Sequence, residues 1–464
     1  MTNTGRELNS FMTATMTQYE TIIIGLGKTG YSCVRFLAKQ GKQFAVVDSR
    51  NHPPELDRLI SEFPEVNFYP GEFDSGLLAS AKQLIISPGV SMQHPAIRLA
   101  AKAGVEIIGD IELFARHVNA PVVAVTGSNG KSTVVSLVSS MISAADKTVC
   151  LGGNFGTPAL SFLEQNAPDF YVLELSSFQL ETVSSLDAAV AVVLNISADH
   201  MDRYADVDEY ATAKQRIYAG TGYIVINKDE PRVVAMTRPA RSVIRYTLQE
   251  PVNEEFGVIR RDAHDWLCHG KDPLMPASEM LLKGRHNISN ALAALAIGYA
   301  IGLPMRIMTE VLKIFTGLPH RCEWVTDSDG VTWINDSKGT NPGASCAAIK
   351  GLSEGDDIVL IAGGDGKGAD FSLLAESVMG RVHAAVLIGR DANQIAVALK
   401  DKTAVYFATT LDAAVKTAAR LSRKGDKVLL SPACASFDMF RDYQDRGQQF
   451  IESVIRFTGE MGRR

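Results

Sequence analysis

Two glycine-rich segments of the chain each follow a short apolar run and could bind phosphate groups. The first, Gly25-Leu26-Gly27-Lys28-Thr29-Gly30, matches the GxGxxG pattern, whose glycines let backbone N–H groups approach a pyrophosphate at a helix N-terminus. Asp48 ends the next apolar run, about 20 residues further on, as in folds that bind nicotinamide dinucleotides. Since any nucleotide diphosphate would satisfy this loop, a nicotinamide dinucleotide and a UDP-sugar both stay candidates.

The second segment carries a lysine and hydroxyl groups suited to the β- and γ-phosphates of ATP and to Mg²⁺. It reads TGSNGKST from Thr126 to Thr133 and lies between the apolar run PVVAV and a helix-length segment. The position five before Gly130 is Val125 rather than glycine, so the segment is a shortened relative of the GxxxxGK[ST] loop. Lys131 and Ser132 are therefore predicted to bind nucleotide phosphate and metal.

Three further side chains follow apolar runs behind the second loop. Glu174 ends YVLE, where an acidic group could hold Mg²⁺, and His200 and Lys214 come next along the chain. A lone histidine is more often structural, and a lone helical lysine usually belongs to a solvated face. Their order behind a phosphate loop leaves the functional and the structural interpretation equally open.

The elements that must position these residues follow an α/β pattern. Short β-branched runs alternate with helix-length segments, which predicts parallel sheets with crossover helices. Strands are predicted at 171–175, 189–195 and 223–227 and at the runs TIII, FAVVDSR, LIISPGV, PVVAVT, IVLIAGG, AAVLIG, AVYFAT and KVLLSPA, and hairpins near 260–276. The uncharged run 287–305 contains Ser289, Asn290 and Pro304, so it predicts a buried helix over 287–301 rather than a membrane span.

Length and composition bound the class of protein. The 464 residues suggest about three domains at roughly 150 residues each, with predicted bounds 1–110, 111–317 and 318–464 and a flexible extension at 1–18. Apolar residues make up 46% and charged residues 21%, which is typical of globular chains, and the net charge of −6 argues against general attraction to nucleic acid or anionic membranes. Six scattered cysteines argue against a disulfide framework and favour a reducing cytoplasm.

Nine segments, taken together with the first loop, resemble the Mur ligases in type and order, from Gly25 to the C-terminal region. These segments are TGSNGKST, ELSSFQLE, NISADHMDRY, KQRIY, GRHNISNALAA, GLPHRCE, NDSKGTNP, GGDGKGADF and SPACASFDMF. The resemblance implies a Rossmann-like N-terminal domain for a UDP-linked substrate, a P-loop ATPase-like central domain and a Rossmann-like C-terminal domain for an amino acid. It implies a cytoplasmic, monomeric ligase that uses ATP and two Mg²⁺ ions to join UDP-N-acetylmuramoyl-L-alanine to D-glutamate through an acyl phosphate, without nucleic-acid or membrane partners.

The same resemblance implies roles for individual residues. ATP contacts are expected at Ser128, Asn129, Gly130, Lys131, Ser132, Thr133, Val134, Asn287, Asn290, Arg321 and Asp336. UDP-substrate contacts are expected at Gly27, Lys28, Thr29, Ser49, Arg50, Gly89, Asn154 and Ser176, and amino-acid contacts at Lys338, Thr340, Lys367, Ser436 and Phe437. Metal ligands are expected at Ser132, Glu174, His200 and Lys214, with Lys214 carrying a carbamate, and Lys131, His200 and Lys214 are the expected catalytic residues.

Other functions explain less of the sequence. A nicotinamide dehydrogenase would account for the first loop only and would leave TGSNGKST without a role. A nucleotide-dependent switch would use that second loop but not SPACASFDMF. Folylpolyglutamate synthases share the fold and the style of the ATP loop, but DHMDRY, NDSKGTNP and SPACASFDMF favour the muramoyl ligases.

Overall fold

The computed structural model describes residues 19–197, 199, 203–237, 241–282 and 284–461, and the backbone alone at 460 and 461. The expected extension at 1–18 and the expected metal ligand His200 lie outside the described residues. The described chain divides into two compact units. The first comprises the described parts of Met1–Thr126, Cys150–Ala189 and Ser197–Gly222, and the second those of Gly127–Val149, Val190–Ile196 and Tyr223–Arg464. The three-domain bounds stay a prediction.

The first unit begins with a five-stranded parallel sheet in the order β3-β2-β1-β4-β5. Its strands are β1 (Thr21–Ile24), β2 (Phe44–Asp48), β3 (Asn67–Pro70), β4 (Gln83–Ile86) and β5 (Glu106–Gly109). The central strands are buried on both faces, as helices packed on either side of a parallel sheet require. Parallel strands end at one edge of the sheet, so the loops after β1, β2 and β4 lie side by side.

A second set of strands carries the loops that follow Thr126 and Glu174. In the first unit these are β6 (Val122–Thr126), β7 (Val149–Gly153) and β8 (Phe170–Glu174), and β6 pairs in parallel with β8. In the second unit the order along the sheet is β9 (Val190–Val193), β10 (Tyr223–Asn227), β11 (Val243–Tyr246), β12 (Phe256–Arg261), β13 (His264–His269) and β14 (Asp272–Pro276). The last three strands are antiparallel neighbours, which confirms the predicted hairpins.

The third sheet belongs to the second unit and runs in the order β15-β16-β20-β17-β18-β19. Its strands are β15 (Glu323–Ser328), β16 (Val331–Asn335), β17 (Ile358–Gly363), β18 (Val382–Ile388), β19 (Ala404–Phe407) and β20 (Lys427–Leu430). Along β17, Ile358 and Leu360 pack into one hydrophobic cluster, while Val359 and Ile361 pack into another. This alternation buries both faces of the sheet, so helices can cover it on either side.

Sixteen helices connect the strands across the described residues. They are α1 (Lys28–Lys39), α2 (Leu56–Glu62), α3 (Ser75–Ser80), α4 (Pro95–Lys102), α5 (Asp110–Ala115), α6 (Lys131–Ala144), α7 (Ser177–Leu180), α8 (Val207–Gln215), α9 (Pro231–Ala235), α10 (Arg285–Ala300), α11 (Met305–Ile314), α12 (Pro342–Leu352), α13 (Ser372–Val378), α14 (Ala392–Ala398), α15 (Leu411–Leu421) and α16 (Tyr443–Met461). Three short 3₁₀ helices span Ala159–Glu164, Arg216–Tyr218 and Ala277–Glu279.

The α/β class is confirmed, and the predicted strands are present with ends shifted by up to four residues. Residues 287–300 lie in α10 and Ile301 is its C-cap; the Ala291–Ile297 segment is fully buried, as predicted for an internal helix. Among the described residues, the structure has no helix with the length and apolarity needed to cross a membrane. Strands β3, β5, β7, β11, β15 and β16 were not predicted. Of these, β3 is mostly exposed and β7 ends in two glycines that resemble a loop.

The start of α1 packs against the first glycine loop at a distance that excludes a side chain. A Cβ atom built on Gly30 would lie 1.8 Å from the carbonyl oxygen of Gly25. Gly25 itself has φ of +94°, and a Cβ there would lie 2.9 Å from the Cβ of Ser87. The loop conformation therefore depends on glycine at both positions.

We expect Gly30→Ala to destabilise the first unit by roughly 1–3 kcal/mol, because main chain cannot yield to the added methyl group as a flexible side chain could. Calorimetric unfolding measures the effect. Gly459→Ala is the matched control: this glycine also lies inside a helix, α16, but a Cβ there meets no atom within 4 Å. Since alanine favours helix more than glycine does, the control should gain up to about 1 kcal/mol. Equal effects of the two changes would contradict this account of the loop.

Candidate functional site

The first unit contains a cavity of about 460 Å³ at the carboxyl ends of β1, β2 and β4. Strand ends of an open parallel sheet are the usual place for a ligand in this kind of fold. Seven of the eight expected UDP-substrate residues line this cavity, namely Gly27, Lys28, Thr29, Ser49, Arg50, Gly89 and Asn154. Helix α1 begins at Lys28, with Gly27 in extended conformation as its N-cap, so its first N–H groups belong to the glycine loop.

Asp48 lines this cavity and also holds the glycine loop. Its carboxylate accepts hydrogen bonds from Leu26 N at 2.7 Å, from Arg50 N and Nε at 2.9 Å each, and from Arg50 Nη2 at 2.7 Å. Burial opposes ionisation, but these hydrogen bonds outweigh it and hold the pKa of Asp48 below its ordinary value. Four donors fill the acceptor capacity of a carboxylate, so Asp48 has little left for the ribose hydroxyl of a dinucleotide.

Ser176, the eighth expected substrate residue, has a structural contact of its own. Its hydroxyl caps α7 by accepting from Gln179 N at 3.2 Å, while the Gln179 Oε1 accepts from Ser176 N at 3.1 Å. The Gln179 amide group also donates from Nε2 to Asp110 Oδ2 at 3.1 Å. Gln179 lines the first cavity, so the structure adds it to the candidate substrate residues.

The second phosphate loop connects β6 to α6 and is shaped by its own polar groups. Lys131 Nζ donates to Gly127 O at 2.8 Å and to Ser128 O at 2.9 Å, which holds the ammonium group over the loop. Asn195 binds the loop from the end of β9: its Oδ1 accepts from Asn129 N at 2.8 Å and its carbonyl accepts from Ser128 N at 3.0 Å. Asn195 was not among the predicted site residues.

The end of this loop opens onto a cavity of about 240 Å³ within the second unit. Seven expected ligand residues line it, namely Gly130, Thr133, Asn287, Asn290, Arg321, Asp336 and Lys338. Gly130 has φ of +82°, and a Cβ there would lie 2.4 Å from Asn290 Oδ1, so glycine permits α10 to approach the loop. Ser132 is buried in the first turn of α6, whereas Val134 has a fully buried side chain and donates its N–H to Gly130 O.

Asp336 is a buried acid in this cavity. Burial raises its pKa to about 6, although Ser431 Oγ donates to Oδ2 at 2.7 Å and Cys322 N donates to Oδ1 at 3.2 Å. These two bonds tie the loop after β20 and the segment beside Arg321 to the end of β16. The arrangement keeps the predicted nucleotide contacts Arg321 and Asp336 in one wall of the cavity.

Glu174 and Lys214 are both buried in the first unit, with 3% and 1% of their surface exposed. Glu174 ends β8, and its Oε1 accepts from Asn154 Nδ2 at 2.7 Å. Lys214 lies in α8, where its Nζ donates to Thr126 Oγ1 at 3.2 Å and sits 4.7 Å from the ring centroid of Tyr210. A lysine with so little solvent is not the solvated helical residue that its sequence position alone would suggest.

Three loops meet at the carboxyl ends of β16, β17 and β20 and carry the expected amino-acid residues. Asp365 and Ala435 exchange two main-chain hydrogen bonds of 3.0 and 2.9 Å, which joins the loop of Lys367 to that of Ser436. Lys367 has φ of +52°, and its Nζ lies 5.7 Å from the ring centroid of Phe437, which is 67% exposed. Thr340 N donates to Lys338 O at 2.8 Å, within the loop that follows β16.

Arg446 in α16 binds two of these loops, those that follow β16 and β20. It is fully buried, and its guanidinium donates to Ser337 Oγ at 2.9 Å, to Ser337 O at 2.8 Å and to Cys434 O at 3.2 Å. Burial lowers the pKa of Arg446 to about 10, so it stays charged at neutral pH. Sequence reasoning missed this residue, because an arginine in a charged helix is ordinarily solvated.

Three family models match the chain. The Mur ligase MurD-like N-terminal domain matches residues 19–109, the Mur ligase middle domain matches 125–298, and the Mur ligase glutamate ligase domain matches 320–434. Curated relatives named UDP-N-acetylmuramoylalanine--D-glutamate ligase include those of Nitrosococcus oceani, 52% identical over 94% of this chain and 96% of its own, and of Marinobacter nauticus, 53% identical over 95% and 98%. The relative of that name from Pseudomonas aeruginosa is 52% identical over 93% and 97%.

Solved structures resemble the chain in fold. The UDP-N-acetylmuramate-alanine ligase of Thermotoga maritima has a TM-score of 0.56 at 18% identity, covering 95% of this chain and 100% of its own. Escherichia coli FolC in complex with DHPP and ADP has a TM-score of 0.55 at 19% identity, covering 75% and 93%. At these identities the likeness concerns the fold alone.

Asp110, the partner of Gln179, should make stability depend on pH. Burial raises its pKa to about 6, so between about pH 4 and 6 the folded state keeps a proton that the unfolded chain loses. Stability therefore falls as the pH rises through this window. Asp110→Asn cannot ionise, so its stability relative to the wild type should rise from pH 4 to pH 7 by on the order of 2 kcal/mol. Thermal unfolding at both pH values measures this, with exposed Asp57→Asn as the control; a difference that does not vary with pH would refute the assignment.

Proposed function

Because this chain belongs to the Mur ligase family, we propose that its described cavities and loops bind the substrates of one amide-forming reaction. The chain is an ATP-dependent ligase that adds D-glutamate to UDP-N-acetylmuramoyl-L-alanine in peptidoglycan synthesis. The observation that carries this function is an identity of 52–53%, over 93–95% of the chain, to curated ligases of that name. Each assignment of a residue to a substrate is our proposal.

We assign the cavity of the first unit to the UDP part of the nucleotide substrate. Its glycine loop offers main-chain N–H groups at the start of α1, Lys28 supplies positive charge, and Arg50 lines the cavity as the partner of Asp48. The volume of about 460 Å³ suits part of a nucleotide sugar. Because Asp48 is already engaged by four donors, the cavity offers little to a nicotinamide dinucleotide, and the dehydrogenase alternative loses its main support.

We assign the second loop and its adjoining cavity to ATP. Lys131 would exchange loop carbonyls for phosphate oxygens, and Ser128, Asn129, Gly130, Ser132 and Thr133 would contribute the rest of the loop. Asn287, Asn290, Arg321 and Asp336 line the cavity beside the loop, where the remainder of the nucleotide would bind. We assign D-glutamate to Lys338, Thr340, Lys367, Ser436 and Phe437, since two lysines can pair with its two carboxylates.

The reaction has two balanced steps. A carboxylate oxygen of the L-alanine unit attacks the γ-phosphorus of ATP, and the bond between this phosphorus and the β–γ bridging oxygen breaks. ADP departs, and an acyl phosphate is formed. The amino nitrogen of D-glutamate then attacks the acyl carbon, the carbon–oxygen bond to phosphate breaks, and an amide, phosphate and a proton result. Lys131 stabilises the charge on the transferring phosphoryl oxygens, and the site must exclude water, which would hydrolyse the acyl phosphate.

The chemistry of Glu174 and Ser132 suits the binding of Mg²⁺. Glu174 is a buried carboxylate at a strand end, Ser132 is the hydroxyl of the phosphate loop, and oxygen donors of this kind suit a hard cation. When bound, Mg²⁺ neutralises phosphate charge. We propose, on the family resemblance, that two ions bind, with His200 and a carbamylated Lys214 at the second. We also propose a cytoplasmic monomer, for which sedimentation velocity is the test of mass.

Phosphate release tests the function directly. With ATP, Mg²⁺ and UDP-N-acetylmuramoyl-L-alanine, the enzyme should release phosphate when D-glutamate is added and not when L-glutamate is added. Mass spectrometry of the product should show the added glutamyl residue. Phosphate release that is independent of the amino acid would favour a nucleotide switch instead.

Lys131→Ala should reduce turnover by roughly 10²-fold or more while leaving the fold intact, because a cation that stabilises transferred phosphoryl charge is lost. Steady-state phosphate release measures the effect, and a melting curve checks the fold. Lys147→Ala, at an exposed lysine beyond α6, is the matched control. Near-normal turnover of the Lys131 variant would reject the assignment.

Lys214 is proposed to carry a carbamate, formed when its neutral amine attacks CO₂ and releases a proton. A buried ammonium is costly, and a carbamate replaces it with an anion that has two oxygen donors. Lys214→Ala should lose activity and regain part of it with a short carboxylic acid, whereas Lys214→Arg should not be rescued. Lys131→Ala in the same acid is the control, since it lacks a cation rather than an anion.

A second readout of the carbamate does not depend on activity. Wild-type protein equilibrated with ¹³C-labelled bicarbonate should show a carbamate carbon signal that is missing from Lys214→Ala. A wild-type spectrum without that signal, or full turnover of Lys214→Ala, would reject the modification.

A further inference from the structure

Arg203 belongs to the DHMDRY segment, and the reaction described above gives it no role. Its side chain is 15% exposed. Nη1 donates to Pro88 O at 2.9 Å, and Nη2 donates to Val90 O at 3.3 Å and to Glu181 Oε2 at 2.8 Å. Its Cζ lies 4.1 Å from the ring centroid of Phe178. One guanidinium thus contacts two main-chain carbonyls, a carboxylate and an aromatic ring within the first unit.

The two carbonyls flank Gly89, a residue that lines the cavity assigned to the UDP part of the substrate. The turn that contains it follows β4, and its other side is fixed by Ser87, whose Oγ donates to Gly25 O at 2.9 Å in the glycine loop. In a trans peptide the C=O and N–H point in opposite directions. Holding the Pro88 carbonyl on Arg203 therefore directs the Gly89 N–H away from the guanidinium, and fixes the turn relative to the glycine loop.

The contacts require an arginine. A guanidinium is a planar group whose donors point in several fixed directions, so it can bind two carbonyls and a carboxylate at once, whereas an ammonium group is a compact point charge. Glu181 balances the charge, and stacking on Phe178 fixes the plane of the group. Arg203 itself lines a different cavity, of about 290 Å³. Its effect on the cavity assigned to the UDP part would therefore be indirect, through the turn that it fixes.

We propose that Arg203 is a positioning residue for the UDP-linked substrate: it holds the carbonyls of Pro88 and Val90, and so keeps the Gly89 turn in the shape that binds this substrate. The proposal rests on the function proposed above. It predicts weaker binding of the UDP-linked substrate and unchanged binding of ATP and D-glutamate, since Pro88, Gly89 and Val90 line the cavity assigned to the UDP part.

The experiment compares Arg203→Met and Arg203→Lys with wild type. KM is measured for UDP-N-acetylmuramoyl-L-alanine, ATP and D-glutamate, and calorimetry measures the Kd of the UDP substrate without ATP. Arg203→Met should raise both constants for the UDP substrate by about tenfold, as for the loss of one charge-assisted hydrogen bond, with the other two KM values within about twofold of wild type. Arg203→Lys should recover part of the loss.

Arg58→Met is the matched control. Arg58 also pairs with carboxylates, of Glu55 and Glu62, and its Cζ lies 4.3 Å from the ring centroid of Tyr31, so its contacts lie within α2 and between α2 and α1. This variant should keep wild-type constants for all three substrates. It distinguishes the general effect of removing a stacked and paired arginine from the specific effect of removing the contacts with the Gly89 turn.

Wild-type affinity for the UDP substrate in a folded Arg203→Met protein would overturn the proposal, as would equal weakening of all three substrates. Melting curves show whether the variant is folded. Should Arg203→Met not fold, Arg203→Lys decides: an unchanged Kd for the UDP substrate overturns the proposal. A failure of the proposed function is distinct, because the wild-type enzyme itself would then release no phosphate on addition of D-glutamate.

Discussion

Charged groups taken out of water at strand ends must find partners, and in this chain the partners belong largely to neighbouring loops. Asp48 accepts from the Leu26 amide, and Arg446 donates to the carbonyls of Ser337 and Cys434. A buried charge without such partners would cost several kcal/mol, so each group and its loop are held in a single arrangement. These contacts hold the glycine loop of the first cavity and the loop after β16, which lines the second.

Glycine sets the second condition, by allowing main chain or a neighbouring side chain to approach closely at the two loops that we propose bind phosphate. At Gly30 a methyl group would meet the Gly25 carbonyl, and at Gly130 it would meet the Asn290 side chain. Phosphate recognition by N–H groups needs this closeness, since a side chain on the loop would stand between the backbone and the ligand. Glycine loops and buried charges are thus complementary: the first brings backbone within reach, and the second fixes its orientation.

Sequence reasoning predicted the parts of the fold and site that depend on local pattern. Periodicity located most of the central strands and α10, and spacing located both glycine-rich turns between a strand and a helix, because strand, turn and helix signals there follow one another directly. It did not reveal Gln179, Asn195 or Arg446, whose contacts join segments 69, 66 and 109 residues apart. Pairing over such distances is decided by how the sheets assemble. Sequence spacing also matched Asp48 to the position of a residue that binds a ribose hydroxyl. It could not show that the carboxylate is already bound by Leu26 and Arg50.

The bracing of the C-terminal loops bears on what the enzyme must select. A ligase for D-glutamate has to reject L-glutamate, and a site distinguishes two enantiomers only when it holds at least three of their groups in fixed positions. Loops that could shift independently would accept either enantiomer at little cost. Here Arg446 joins the ends of β16 and β20, and the paired main chains of Asp365 and Ala435 join the ends of β17 and β20. Since every loop of the proposed amino-acid pocket is fixed to another, the spacing between these loops is a property of the fold, and fixed spacing is what discrimination between the two enantiomers requires.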